Sequence, residues 1–148
     1  MSDLTENNII YSINKDDLVN LKIENFFVGW KNKPSEEILR KSIMNSDYIV
    51  IAIDIKNQCL AGYITAISDN TLSAYIPFLE VAPQYQKKGI GKNLVKKIID
   101  QLENLYMIDV VCDNNLAGFY EKAGFRSWHS MIKRNYINQS GASPKTNS

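Results

Sequence analysis

The stretch Leu79-Glu80-Val81-Ala82-Pro83-Gln84-Tyr85-Gln86-Lys87-Lys88-Gly89-Ile90-Gly91-Lys92 decides how the chain is read. It opens as a short strand, breaks at Pro83, passes through a loop holding Gly89 and Gly91, and runs into a long amphipathic segment. A helix start leaves its first amides unpaired and carries the roughly half-unit positive end of the dipole, so it attracts anions. Gly89 and Gly91 let backbone amides approach a phosphate with no Cβ in the way, and Lys87, Lys88 and Lys92 add positive charge. Taken alone, the glycine pair also reads as an ordinary turn before a surface helix with solvated lysines. A kinase-type P-loop does not fit, since Gln86 stands where its first glycine belongs and Asn93, not Ser or Thr, follows Lys92. A dinucleotide fingerprint would need parallel strands before the loop, and the preceding segments read as hairpins.

Downstream of the loop, Leu94, Val95, Ile98, Ile99 and Leu102 share one face of a helix over Lys92–Leu105, with Lys96, Lys97, Asp100 and Gln101 opposite. Upstream, Tyr48–Ile55 and Cys59–Ile67 are β-branched runs joined by the turn Lys56-Asn57-Gln58. After Ser68-Asp69-Asn70 comes a strand over Leu72–Val81, in which Pro77 interrupts the ladder and predicts a bulge or an edge. Asp69, like Asp113 further on, reads as a turn residue. Closer to the start, Asn8–Ile13 predicts a first strand, and Leu18, Leu21, Ile23, Phe26 and Phe27 predict a helix over Lys15–Phe27. Pro34 before Ser35-Glu36-Glu37 starts another helix reaching about Ser46. Toward the other end, Met107–Cys112 predicts a buried strand, Asn115–Ala123 a short helix, with Gly124 as its cap, and Phe125–Tyr136 a strand that closes the sheet.

The result is a mixed α/β (α+β) domain with a central sheet, antiparallel in its first half, flanked by about four helices. Its expected extent is residues 1–137, with a disordered tail over 138–148. At 148 residues and 45% hydrophobic the chain suits one domain with its own core. The net charge of +1 supplies no global field for nucleic acid or an anionic membrane, so any anion recognition must be local. No apolar run is long enough to cross a bilayer, and the polar opening Met1–Glu6 has no secretory character. Two cysteines, Cys59 and Cys112, each in an apolar run, predict inert thiols in a reduced, cytoplasmic setting. His129 is the sole histidine, so a metal site is not expected.

Leu79–Gly91 resembles the acetyl-CoA motif of the GCN5-related N-acetyltransferase (GNAT) superfamily, whose core is Gln/Arg-x-x-Gly-x-Gly/Ala. Asn114-Asn115-Leu116-Ala117-Gly118-Phe119-Tyr120-Glu121-Lys122-Ala123-Gly124-Phe125 resembles its second motif, an Asn followed by Phe-Tyr-x-x-x-Gly-Phe. The resemblance implies a sheet splayed at the cofactor site. There the backbone of Leu79 and Val81 would hold the pantetheine arm, and amides of Gln86, Lys87, Lys88, Gly89, Ile90 and Gly91, with Lys92, would hold the pyrophosphate. Asn115 would face the pantetheine or the acceptor, and Tyr120 would protonate the departing thiolate, although its ring also suits a core with Phe119 and Phe125.

The implied reaction moves acetyl from acetyl-CoA to a primary amine, more readily a small molecule than a protein, with no metal and with the enzyme monomeric or homodimeric. An alkylamine with a pKa near 10.4 is the free nucleophile in about one molecule in a few thousand at pH 7, a penalty of roughly 4 to 5 kcal/mol. Glu80 is the candidate base, and alternation places it on the opposite face from Leu79 and Val81. In many members of the superfamily the acid sits elsewhere on this strand, where this chain has Tyr75 and Phe78. Trp30, Phe26 and Phe27 could line an aromatic amine pocket or belong to the core. The alternative is an acyl-CoA-binding module that keeps the loop and lacks the base.

Overall fold

The structure, a computed structural model, describes residues 8–142. Five strands, β1 (Ile9–Ser12), β2 (Tyr48–Asp54), β3 (Cys59–Ser68), β4 (Ser73–Val81) and β5 (Met107–Val110), form one sheet in sequence order. The first four pair antiparallel, and β5 joins β4 in parallel. Three α-helices accompany them: α1 (Glu36–Met44), α2 (Ile90–Gln101) and α3 (Ala117–Lys122). Helix α2 is the crossover between β4 and β5, the connection that a parallel pair requires.

Two cores lie on opposite faces of the sheet. Residues 18–43 cover one face with Leu18, Phe26, Phe27, Leu39 and Ile43 over Ile49, Ile51 and Tyr63. Helices α2 and α3 cover the other, where Leu94, Val95, Ile98 and Tyr120 pack on Val50, Ala61, Ile64 and Ile76. Each such aliphatic side chain removed from water stabilises the fold by about 1.5–3 kcal/mol. The apolar stripe of α2 is the one read from its periodicity, and the helix begins two residues before Lys92 because Gly89, at φ 80°, caps it.

Two expected elements do not form. The helix over Lys15–Phe27 is reduced to a 3-10 turn, Lys15–Leu18, so three helices rather than four flank the sheet. Its apolar residues are buried, but at Lys22 the backbone bridges to the start of β3 instead of continuing a helical ladder. Lys22 N–H donates to Gln58 C=O and Leu60 N–H to Lys22 C=O. Asn25 and Phe27 take positive φ, which a helix excludes. The Arg40 guanidinium of α1 donates to the carbonyls of Leu18 and Leu21, supplying partners that a helical ladder would otherwise have provided.

The closing strand over Phe125–Tyr136 is also absent, and β5 is the last strand of the sheet. Trp128, Met131 and Ile132 stand exposed, so this run buries no face that would fix it on the sheet. Cys112, expected to be buried, is exposed, because β5 ends at Val110. Of the tail expected from 138 onward, residues 143–148 lie outside the described residues. Before them a 3-10 turn, Tyr136–Asn138, leads back over the Gly29–Asn32 link, where Asn32 N–H donates to Gln139 Oε1 at 3.1 Å. Gly141 lies so close to α1 that a Cβ on it would stand 2.7 Å from Ile38 Cγ2.

Candidate active site

The edge of β4 opens halfway along. Its pairing with β5 runs from Ser73↔Met107 to Ile76↔Val110 and stops there, just before Pro77, which has no N–H to continue it. On the other edge, β3 stays paired to the end through Ile64↔Leu79, Tyr63↔Glu80 and Gly62↔Val81. Ala82 N–H donates to Ala61 C=O at 2.9 Å. In an antiparallel ladder hydrogen-bonded and non-hydrogen-bonded pairs alternate, so the N–H and C=O groups of Leu79 and Val81 point away from β3, into the opening. Gln86 Nε2 reaches the Val81 carbonyl at 3.0 Å from that side. An extended amide-bearing chain can dock there as an added strand.

The loop after β4 has the backbone conformation and the charge to form a cradle for an anion. Pro83–Tyr85 is a 3-10 turn, Lys87 (φ 64°) and Gly89 (φ 80°) are left-handed, and α2 starts at Ile90. Two left-handed residues turn the chain sharply ahead of the helix, whose unpaired first amides and dipole add positive potential. Lys87, Lys88 and Lys92 are exposed around it, while the Ile90 side chain is buried under α2, leaving its backbone for the cradle. Gly91 faces Phe119 of α3, with 3.7 Å between its would-be Cβ and the ring, which brings the two helices together beside the opening.

Tyr120 of α3 is buried, edge-on to Phe119 (centroids 5.0 Å apart) and Phe125 (5.6 Å). Burial, reinforced by the Cys112 thiol, pushes its hydroxyl up to about 12, so it is protonated at neutral pH and able to donate a proton. Gly124 at φ 96° ends α3 with Phe125 N–H on Tyr120 C=O, the cap role read from the sequence. Asn115 lies exposed in the 3-10 turn Asn114–Leu116, ahead of α3.

Glu80 projects from the other face of β4, as alternation predicts, and two groups hold its carboxylate. Phe27 N–H donates to Oε1 at 2.8 Å and Tyr63 Oη–H to Oε2 at 2.5 Å. Burial raises its pKa above the ordinary carboxyl value, and these two hydrogen bonds only partly offset it. A carboxylate has about four acceptor positions, so two remain for a proton donor. Sequence reasoning missed both partners. Tyr63 was hidden in an apolar strand, although the shared face of Tyr63 and Glu80 follows once the register of β3 and β4 is known.

An aromatic group continues from Glu80 to a surface cleft. Phe27, whose amide binds Glu80, packs on Trp30 (centroids 4.8 Å) and Phe78 (6.1 Å). Trp30 then borders a cleft of about 560 Å³, with Gly29, Lys31 and Asn32 on its side and Tyr136, Ile137 and Gln139 opposite. Of the three aromatic residues that could line a pocket or belong to the core, Trp30 borders the cleft, while Phe26 and Phe27 are buried in the core, Phe26 edge-on to Tyr63. His129 is exposed, and among the described residues no cluster of His, Cys, Asp and Glu is arranged to hold a metal. No described helix is long and apolar enough to cross a membrane.

A β4 edge that opens after Ile76, a glycine-containing loop at the start of α2 and the short helix α3 beside it make up an acetyltransferase fold of the GNAT type. Residues 14–139 match the family described as acetyltransferase (GNAT) domain, and the chain belongs to that family. Among solved structures it is similar to a provisionally named acetyltransferase from Deinococcus radiodurans R1, with a TM-score of 0.79, 31% identity, and 90% of this chain and 92% of that one covered. The uncharacterized N-acetyltransferase ycf52 of Pyropia yezoensis is 31% identical over 102 residues, 66% of this chain and 58% of its own length. A histone acetyltransferase of Glycine max, TAP1, is 28% identical over 144 residues, 88% of this chain and 62% of its own length. The chain thus spans less than two thirds of these curated relatives.

Proposed function

We propose that the protein transfers an acetyl group from acetyl-CoA to a small primary amine by direct attack in a ternary complex. The observation that carries this reading is the placement of Glu80 and Tyr120 on opposite faces of the sheet, one on either side of the β4 opening. The pantetheine arm lies along Leu79 and Val81, with Gln86 yielding or sharing the Val81 carbonyl, and Asn115 faces the arm or the acceptor. Gln86 to Gly91 and Lys92 take the pyrophosphate. The amine enters from the Trp30 side, and Glu80 accepts the proton as nitrogen attacks the thioester carbon. The C–S bond breaks as the carbonyl re-forms, and Tyr120 gives its proton to the departing sulfur.

A small amine is favoured over a basic protein tail by the cleft itself. Its walls carry one cation, Lys31, and no carboxylate, while Trp30, Tyr136 and Ile137 offer apolar and aromatic surface. A lysine-rich peptide would find no countercharge there.

Thiol release from acetyl-CoA across a panel of aromatic, aliphatic, amino-sugar and peptidyl amines tests the proposal. Turnover fastest with an aromatic or apolar amine is the expected result. Tight binding of acetyl-CoA with no turnover on any amine overturns it in favour of an acyl-CoA-binding module.

A further inference from the structure

The Glu80 carboxylate is held in a way that simple base catalysis does not require. Tyr63 is fully buried in the middle of β3, yet its hydroxyl emerges at the one carboxylate of the site, 2.5 Å away. On the second oxygen sits the amide of Phe27, 53 positions away in sequence and at a positive φ of 56° that a phenylalanine adopts only under constraint. The same Phe27 ring packs on Trp30 at the mouth of the cleft. The carboxylate is therefore held on one oxygen by the middle of the sheet and on the other by the link that leads to Trp30.

We propose that Tyr63 is a positioning residue for the transfer step, orienting the Glu80 carboxylate and setting its proton affinity, while the Phe27 amide holds the other oxygen. The proposal rests on Glu80 as the base. A hydroxyl donating to the charged form stabilises that form, so Tyr63 counteracts the burial that raises the pKa of Glu80. Burial and the adjacent carboxylate push the Tyr63 phenol far above its ordinary range, so it remains a donor throughout and takes no proton from the amine. The other groups facing Glu80 carry no titratable charge: the link contributes the Phe27 amide and β4 contributes Phe78, while the Tyr85 hydroxyl is turned to Asp54 and Cys59. Tyr63 is then the titratable side chain through which the basicity of Glu80 is set.

The test compares the pH dependence of kcat/KM for the best amine in wild type, Tyr63→Phe and Glu80→Gln, with the KM for acetyl-CoA measured in each. Loss of the hydroxyl should move the acid limb of the Tyr63→Phe profile up by about one pH unit, with rates converging at high pH and acetyl-CoA KM unchanged. Glu80→Gln should abolish that limb. A Tyr63→Phe profile that overlays wild type, while Glu80→Gln abolishes the limb, overturns the role of Tyr63 and leaves Glu80 as base. A limb that persists in Glu80→Gln overturns the base and this inference with it. Should Tyr63→Phe fold poorly, 3-fluorotyrosine placed at position 63 keeps the ring and strengthens the donor. It should move the limb down, and an unmoved limb overturns the proposal.

Discussion

The hydroxyl of Tyr85 donates to Asp54 Oδ2 at 2.5 Å and lies 2.9 Å from Cys59 Sγ, tying the residue before the phosphate loop to the β2–β3 hairpin. Asp54 is in turn held by the amides of Lys56 and Asn57 and by Asn57 Nδ2. Burial works against its charge, but these hydrogen bonds prevail and its pKa lies below the ordinary value. Tyr85 also presents its ring to the Lys88 ammonium, 5.7 Å from the centroid. Tyr85→Phe frees the loop without touching the chemistry. Its acetyl-CoA KM should rise about three- to tenfold, the worth of one net hydrogen bond, with kcat at saturation nearly unchanged. Steady-state kinetics at varied acetyl-CoA check this, and an equal fall in kcat with unchanged KM contradicts it.

Gly89 has nothing within 4 Å of where a Cβ would be, so its requirement is conformational: at φ 80° any L side chain is strained by about 1–2 kcal/mol. Gly89→Val should lower CoA affinity at least tenfold by distorting the cradle, while circular dichroism shows the fold retained. Gly91→Val, whose side chain would enter the space between Phe119 and Val81, should weaken CoA binding by pushing α3 away from the loop. Calorimetric titration with CoA reads both, and wild-type affinity in either removes the loop from the site.

Removing only the hydroxyl of Tyr120 keeps its edge-on packing with Phe119 and Phe125, so Tyr120→Phe should leave the melting temperature within a few degrees. A positioned acid contributes ~10²–10⁴ in rate, and the loss should appear in kcat rather than in acetyl-CoA binding. Near-wild-type kcat, with chemistry shown to limit turnover by a solvent isotope effect, would return Tyr120 to the core.

Asp69 closes the β3–β4 turn, its Oδ1 accepting from the amides of Thr71, Leu72 and Ser73. These bonds lower its carboxyl from the ordinary 3.8 to about 2. A depressed folded value means a contribution to stability that is present above the unfolded pKa and lost as pH falls through the folded one, here between about pH 4 and pH 2. Asp69→Asn should therefore be less stable than wild type at pH 6, with the difference shrinking toward pH 2. Urea denaturation across that range checks it, and a pH-independent difference contradicts it.

What could be read from residues in order depended on how local each feature is. The course of the loop through Gly89 was legible because a strand, a proline, a glycine pair and an amphipathic helix each follow from a few neighbouring residues. The burial of Leu18, Leu21, Ile23, Phe26 and Phe27 was legible too, but their helix was not, since the same spacing serves a coiled segment whose carbonyls Arg40 satisfies from another element. The strand expected over Phe125–Tyr136 failed for a related reason: its β-favouring residues could not show whether a sheet edge would receive them. The roles of the Tyr63 and Tyr85 hydroxyls were not legible, because a hydroxyl at the far end of a ring leaves no local signature of its partner.

The sequence by itself thus determined the family and the strand–loop–helix run through Gly89, by short-range backbone chemistry and two motifs. Only the tertiary structure decided that β4 loses its β5 partner after Ile76, that the Leu79 and Val81 backbone faces the opening, and that Glu80 is gripped by Tyr63 and Phe27. Those facts rest on strand register and on contacts between residues far apart in the chain, and such pairings are settled by the collective packing of the sheet and its two cores rather than by any local run of residues.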